Sequence, residues 1–331
     1  MFNNYINIHD LLILREKGPQ VLGMLFSRLF KNDKDRIKET WSSVKSPPKN
    51  CWDIPYVRER WNFLISGDRE IDYYEFLSRK YLTDKGGLKA LSLGCGVGHR
   101  ELSWVETGRF SSIDAYDLSE ERIRAARQSA SEKGYGGIIH YRVGDVYNIE
   151  MRENHYDVVL GEQSLHHFSP LEELLLRVEK FLKPGGYFIV NEFVGPTKFQ
   201  WTDRQIQAVN GLLEILPEKH KKLHDSGRIK PSVYRPGRLR MHMMDPSEAV
   251  ESARIEPLLS QLFDVVEVKP YGGTILLLLL NGIAQNFLSD DKQTRDWLDI
   301  CFLIEDQLLA SNDIKSDYIV AIYKKKSGSN V

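Results

Sequence analysis

The chain has 331 residues, 42% hydrophobic and 27% charged, enough for one large domain with insertions. Its 45 Lys+Arg against 46 Asp+Glu leave a net charge of −1, which argues against nucleic acid as the main partner. Three scattered cysteines, Cys51, Cys95 and Cys301, make no CxxC pair, so a disulfide framework and a zinc knuckle are set aside and a cytoplasmic location is expected.

The first apolar stretch, "LLIL", lies between His9–Asp10 and Arg15–Lys17, without a basic leader or cleavage site, so no signal peptide is expected. The longest apolar run, "ILLLLL" at Ile275 to Leu280, is far short of the ~20 residues of a membrane span and reads as a buried strand or helix turn. Residues 1–82 read as an N-terminal helical cap. In "GPQVLGMLFSRLF", Leu22, Leu25, Phe26 and Leu29 share one face and Pro19 suits a first helical position. Two aromatic-rich helices follow, "WDIPYVRERWNFLISGD" and "DYYEFLSRKYL".

Residues 83–194 alternate strands with helices. "KALSL", "SSIDAYD", "GIIHYRVGD", "YDVVLGE" and "YFIVNEF" are the strands. "SEERIRAARQSASEKG" is a helix with Ser119 as N-cap, and "SPLEELLLRVEKFL" opens on a capping box of Ser169 and Glu172. Residues 195–261 form a polar helical insertion. Residues 262–323 supply the last strands, "FDVVEV" and "SDYIVAIY", around a helical insertion at about 275–312, and 324–331 read as a disordered tail. The fold expected is an α/β, Rossmann-like, mostly parallel sheet covered by helices on both faces.

In an open parallel sheet, ligands sit beyond the carboxyl ends of the strands. Those ends carry Gly94, Cys95, Gly96 and Gly98 after the first strand and Asp117 with Leu118 after the second. Asp145 and Val146 follow the third, Glu162 and Gln163 the fourth, and Glu192 ends the fifth. An acid after the second strand is placed to accept from ribose hydroxyls, which fits NAD as well as other adenosyl cofactors. Two features count against NAD: His99 stands where the dinucleotide pattern needs Gly or Ala, and the strand ends gather acids with no evident phosphate-binding lysine.

With "LSLGCGVG", "IDAYDLSEE", "VGDVYNI", "YDVVLGEQSLHHF" and "LKPGGYFIVNEF" in this order, the chain resembles the class I S-adenosylmethionine-dependent methyltransferases over about residues 88–193. The resemblance implies a seven-stranded sheet with an antiparallel last strand and S-adenosylmethionine as cofactor. It further implies that Gly94, Gly96 and Gly98 approach the cofactor, Asp117 holds the ribose, Asp145 and Val146 meet the adenine, and Glu162 meets the ammonium. Tyr73 and Tyr74 would belong to a lid. Ser92 stands where the family often has an acid, and its role is open.

Transfer from a sulfonium needs alignment, and an oxygen acceptor needs a base as well. His167, His166 and Glu192 are the base candidates. Tyr234, Arg235, Arg240, His242 and Tyr271 are the candidates for holding a small polar acceptor, a sugar or another metabolite. No HExxH or paired-acid motif is present, so no metal site is expected, and the Asn/Asp-Pro-Pro-aromatic pattern of amine-on-base chemistry is missing. A metal-independent transfer to a hydroxyl is the expected reaction. The rivals are an NAD-dependent oxidoreductase and a cofactor-binding module without turnover. Oligomeric state is left open.

Overall fold

A computed structural model describes residues 4–6, 10, 36, 40, 49–83 and 86–326. The helix expected in "GPQVLGMLFSRLF" and residues 327–331 lie outside the described residues. The described cap begins with α1 (Pro55–Ser66) and α2 (Tyr73–Tyr81). The alternating region follows: β1 (Leu88–Leu93), α3 (His99–Glu106), β2 (Phe110–Asp117), α4 (Glu120–Glu132), β3 (Ile139–Val143), β4 (Tyr156–Glu162), α5 (Leu171–Phe181) and β5 (Leu182–Phe193). The first insertion holds α6 (Asp203–Ile215), α7 (Arg238–Met244) and α8 (Ile255–Leu262). Next come β6 (Phe263–Gly272), the short α9 (Leu276–Leu280), α10 (Lys292–Ala310) and β7 (Tyr318–Lys325).

The sheet is seven-stranded in the order β3-β2-β1-β4-β5-β7-β6, and β7 runs antiparallel to both neighbours. The order reverses between β1 and β4, which opens the crevice where ligands bind in such sheets. Alternate residues face opposite layers. Ala90, Val158, Leu160 and Ile189 join the core beneath the cap, α3 and α4, whereas Leu91, Val159, Phe188 and Val190 pack against α5 and α8.

Three local expectations change. Helix α5 is not closed by a Ser169–Glu172 box: Glu251 of the first insertion accepts the Leu171 N–H at 3.1 Å and the Ser169 hydroxyl at 2.7 Å. The "KPGG" stretch lies within β5 rather than before it, at an irregularity in its pairing with β4. Lys324 and Lys325 belong to β7, and Lys325 Nζ donates to Asn154 and to the Leu182 carbonyl, each at 3.0 Å. Among the described residues, no helix is long and apolar enough to cross a membrane.

"ILLLLL" is a buried helical turn whose ends are closed by buried charges. Glu305 of α10 accepts the Ile275 N–H at 2.8 Å and the Leu276 N–H at 3.3 Å. Lys230 Nζ donates to the carbonyls of Leu278, Leu279 and Asn281 at 2.9, 3.0 and 2.7 Å. An anion at the amino end and a cation at the carboxyl end both suit the helix dipole. Glu305 Oε2 also stands 3.1 Å from Arg60 Nη1, which ties α1 to the second insertion. Removing Glu305 leaves two amides at the start of α9 unpaired and Arg60 with Asp306 alone, so Glu305→Ala is expected to lose about 1–3 kcal/mol in urea unfolding. An unchanged midpoint would contradict this account of how the cap is fixed.

Candidate active site

The turn after β1 has no room for a side chain at two of its glycines. At Gly94, with φ +69°, a Cβ would lie 2.8 Å from the Ser164 Cβ; at Gly98, with φ +84°, it would lie 2.4 Å from the Tyr141 hydroxyl. Asp117 Oδ2 accepts the Gly96 N–H at 2.9 Å and Oδ1 accepts the Ser119 N–H at 2.8 Å. One carboxylate thus joins the turn to the start of α4, and each oxygen keeps a second lone pair. Leu118 is exposed beside it, and Cys95 is buried, its thiol pushed well up by burial. Asp145 braces its own turn, accepting the Tyr147 N–H at 3.1 Å and the Asn148 side-chain amide at 2.7 Å, over a buried Val146.

Glu162, at the tip of β4, is buried between the cap and α3. It accepts the Tyr73 hydroxyl at 2.7 Å and the Trp104 indole N–H at 2.9 Å. Burial raises its pKa, and the Arg100 guanidinium opposes that rise. Tyr74 packs 4.0 Å from Tyr73 and 5.1 Å from Trp104, centroid to centroid. Gln163 follows at φ 51° and its N–H donates to the Asn191 carbonyl at 2.8 Å.

Ser92 has a partner that sequence reasoning missed. Its hydroxyl donates at 2.5 Å to Glu101 Oε1, on the first turn of α3. Glu101 is 1% exposed, its Oε2 has no hydrogen-bond partner, and burial pushes its carboxyl up to about 7. Arg100 is half-buried beside it, one helical turn before Trp104, and its charge acts on Glu162, Glu101, Tyr73 and Tyr74. The detectable signal was a charged pair opening a helix that otherwise buries Leu102, Trp104 and Val105.

The second polar group gathers at the short turn Leu165–His167. Glu192 is fully buried; Oε2 accepts the N–H groups of Ser164 at 2.7 Å and Leu165 at 2.6 Å, while Oε1 accepts the Phe193 N–H at 2.6 Å and meets His166 Nδ1. With Nδ1 donating to Glu192, His166 Nε2 is the basic nitrogen, 3.7 Å from Glu248 Oε1. Burial pulls the His166 pKa down, and the Glu192 and Glu248 carboxylates outweigh it, so the net direction is up. His167 moves well down, through burial and the neighbouring His166 charge. Its Nδ1 lies 3.3 Å from the Ser247 hydroxyl, which donates to Asp245 at 2.6 Å. Glu192, expected as a base, is here an orienting acid whose oxygens are occupied.

The expected acceptor residues do not converge on these histidines. Arg235 is engaged by the Trp201 carbonyl and by Asp203 at 2.5 Å, and Arg240 by Asp10 at 2.8 Å. Tyr234 and His242 are exposed. Tyr271 is buried among Trp61 and Tyr318, its hydroxyl donating to Asn191 at 2.8 Å. What lies next to His166 instead is aromatic: Phe193 at 6.2 Å, then Phe199 at 5.1 Å from Phe193 and Trp201 stacked 5.0 Å from Phe199. The structure also brings donor atoms of His166, His167 and Glu248 within 4.8 Å of one another, a grouping that no motif in the sequence marks.

Residues 91–190 match the methyltransferase domain family. The sterol 24-C-methyltransferase ERG6B of Gibberella zeae is 28% identical over 144 residues, 43% of this chain and 37% of that protein. The demethylmenaquinone methyltransferase of Desulfitobacterium hafniense is 26% identical over 156 residues, 45% of this chain and 62% of its own. The chain therefore spans less than two thirds of either relative. Among solved structures, the [4+2]-cyclase SpnF aligns over 85% of this chain and 99% of its own at 14% identity, with a TM-score of 0.46.

Glu101 supplies a pH test of this geometry. Its folded pKa of about 7 lies above the ordinary 4.5, so the folded state holds the proton more tightly and loses stability as pH rises between those values. Relative to Glu101→Gln, the wild-type chain is expected to lose up to about 3 kcal/mol across that window, read from melting temperatures against pH. Parallel curves for the two proteins would show that Glu101 is not held in a dry site.

Proposed function

Since residues 91–190 form a class I S-adenosylmethionine-dependent methyltransferase domain, we propose that this chain methylates a small molecule at a hydroxyl, with S-adenosylmethionine as donor. The observation that carries the reading is His166 held by Glu192 at the strand tips, beside a glycine turn ringed by acids. The residues present fit the cofactor: the carboxylates of Asp117 and Glu162 stand at the strand tips, and Glu101 Oε2 is buried without a partner. Asp117 would hold the ribose hydroxyls, and Asp145, Val146 and Leu118 would meet the adenine. Glu162 and Glu101 would hold the ammonium, with Arg100 near the carboxylate. Bound there, S-adenosylmethionine supplies a methyl group already activated on sulfur.

The chain's own work is positioning and proton removal. His166 Nε2 takes the acceptor's hydroxyl proton, and Glu192 holds the Nδ1–H so that the ring keeps its tautomer and steadies the imidazolium that forms. Tyr73 closes the Glu162 side of the site from the cap. Phe193 meets His166 edge-on and leads to the stacked pair Phe199 and Trp201, an aromatic row that suits an acceptor whose hydroxyl is carried on a ring, a sugar included. A non-catalytic module is less favoured, because Glu101 supplies the acid that Ser92 lacks and a cofactor-binding protein has no use for an oriented base.

Asp117→Ala is expected to weaken binding of the demethylated cofactor about tenfold in calorimetry, through lost ribose hydrogen bonds. Unchanged affinity would remove Asp117 from the site. His166→Asn is expected to lower kcat about 10²–10⁴-fold with cofactor affinity little changed, measured with methyl-labelled donor and a panel of ring-borne hydroxyls. Normal turnover in that variant would remove the base.

A further inference from the structure

We propose that His166, His167 and Glu248 form a binding site for a divalent transition metal ion of the zinc class, and that the ion inhibits the chain by occupying the His166 Nε2 lone pair. The donor atoms come from two separate parts of the fold, the turn after β4 and the segment between α7 and α8, and all three lie within 4.8 Å of one another. His166 Nε2 and Glu248 Oε1 are already 3.7 Å apart. A tetrahedral zinc ion needs donors about 3.3 Å apart, so the group closes on it through side-chain rotation of about an ångström.

What separates this cluster from a chance meeting of polar groups is the layer behind it. Metal-binding histidines donate their other ring N–H to a carboxylate, carbonyl or hydroxyl, which fixes the free nitrogen toward the ion. His166 does so to Glu192, and the His167 Nδ1 lies 3.3 Å from the Ser247 hydroxyl. The Glu248 segment is pinned as well. The Val250 N–H donates to the His166 carbonyl at 3.0 Å, and the Ser247 N–H donates to Asp245 at 2.9 Å. Asp245 Oδ2 is buried without a hydrogen-bond partner, and its charge acts on Glu248, which adds to the pull on a cation. Lys198 opposes it electrostatically, with its ammonium turned to the Pro246 carbonyl at 2.5 Å. Two imidazoles and one carboxylate favour zinc, cobalt or nickel over magnesium or calcium, which prefer an all-oxygen shell.

The test titrates the full chain, stripped with a chelator, with Zn²⁺ by calorimetry and Co²⁺ by visible absorption, in the absence of cofactor and acceptor. One Co²⁺ per chain is expected, with the d–d bands of a nitrogen-containing, low-coordinate site. Glu248→Gln and, separately, His167→Gln are expected to weaken binding at least about tenfold while each variant keeps the wild-type melting temperature. Absence of a stoichiometric site, or one that both folded variants retain, overturns the proposal. In a methyl-transfer assay, Zn²⁺ is expected to suppress turnover and a chelator to restore it; activation by Zn²⁺ overturns the inhibitory role. Metal binding is read without turnover, so failure of the methyltransferase reading leaves the metal result intact, and the converse holds.

Discussion

The site depends on one carboxylate. Glu192, at the end of β5, accepts three backbone N–H groups and faces one imidazole nitrogen while fully buried. Every oxygen lone pair of this buried group is met, and removing it would leave three amides without partners in a dry interior. By taking the amides of Ser164 and Leu165, it sets the short turn that carries both histidines. By facing His166 Nδ1, it decides which nitrogen of that ring is basic. The parallel sheet brings the β4 and β5 tips side by side, and Glu192 makes that adjacency chemical.

Around this point the charges fall into two groups with different requirements. Glu162, Glu101 and Arg100 lie under the cap, where Tyr73 and Trp104 exclude water and burial raises both carboxyls. His166, His167, Glu248 and Asp245 lie under the first insertion. Each group is completed by a segment outside the alternating strands and helices, so neither is whole in the sheet alone. The cap is in turn held by Arg60 against Glu305, and the second insertion by Glu305 and Lys230 on the ends of α9. The inserts therefore act as structural members of the site.

The alternating core was legible because its signals are local. Glycines at Gly94, Gly96 and Gly98, an acid at Asp117 and strongly apolar strands follow from a turn, a strand end and a covered sheet, each read within a few residues. The seven strands and the antiparallel β7 agree with the resemblance. What could not be read was pairing over long separations. Glu251 closes α5 from 80 residues away, Glu248 meets His166 across the insertion, and Asp10 takes Arg240 across 230 positions. Arg235 and Arg240 in "YRPGRLRMHMMD" are candidates for holding a polar acceptor by sequence, but each has a partner that only the folded chain supplies.

Ser92 shows how a departure from a pattern can be absorbed. A carboxylate directly on the strand end would be held by the backbone of β1; here the strand offers a hydroxyl, and the carboxylate arrives from the first turn of α3. An acid near a helix amino terminus is favoured by the dipole, which offsets part of the cost of burying Glu101. Its partnerless Oε2 is the remaining cost, because a buried oxygen without a donor destabilises the fold by about 1–3 kcal/mol. A fold carries such a deficit where something else satisfies it in use. Glu101 acts electrostatically on Cys95 of the glycine turn and on Glu162, and the cofactor ammonium proposed for this site would bring the missing donor.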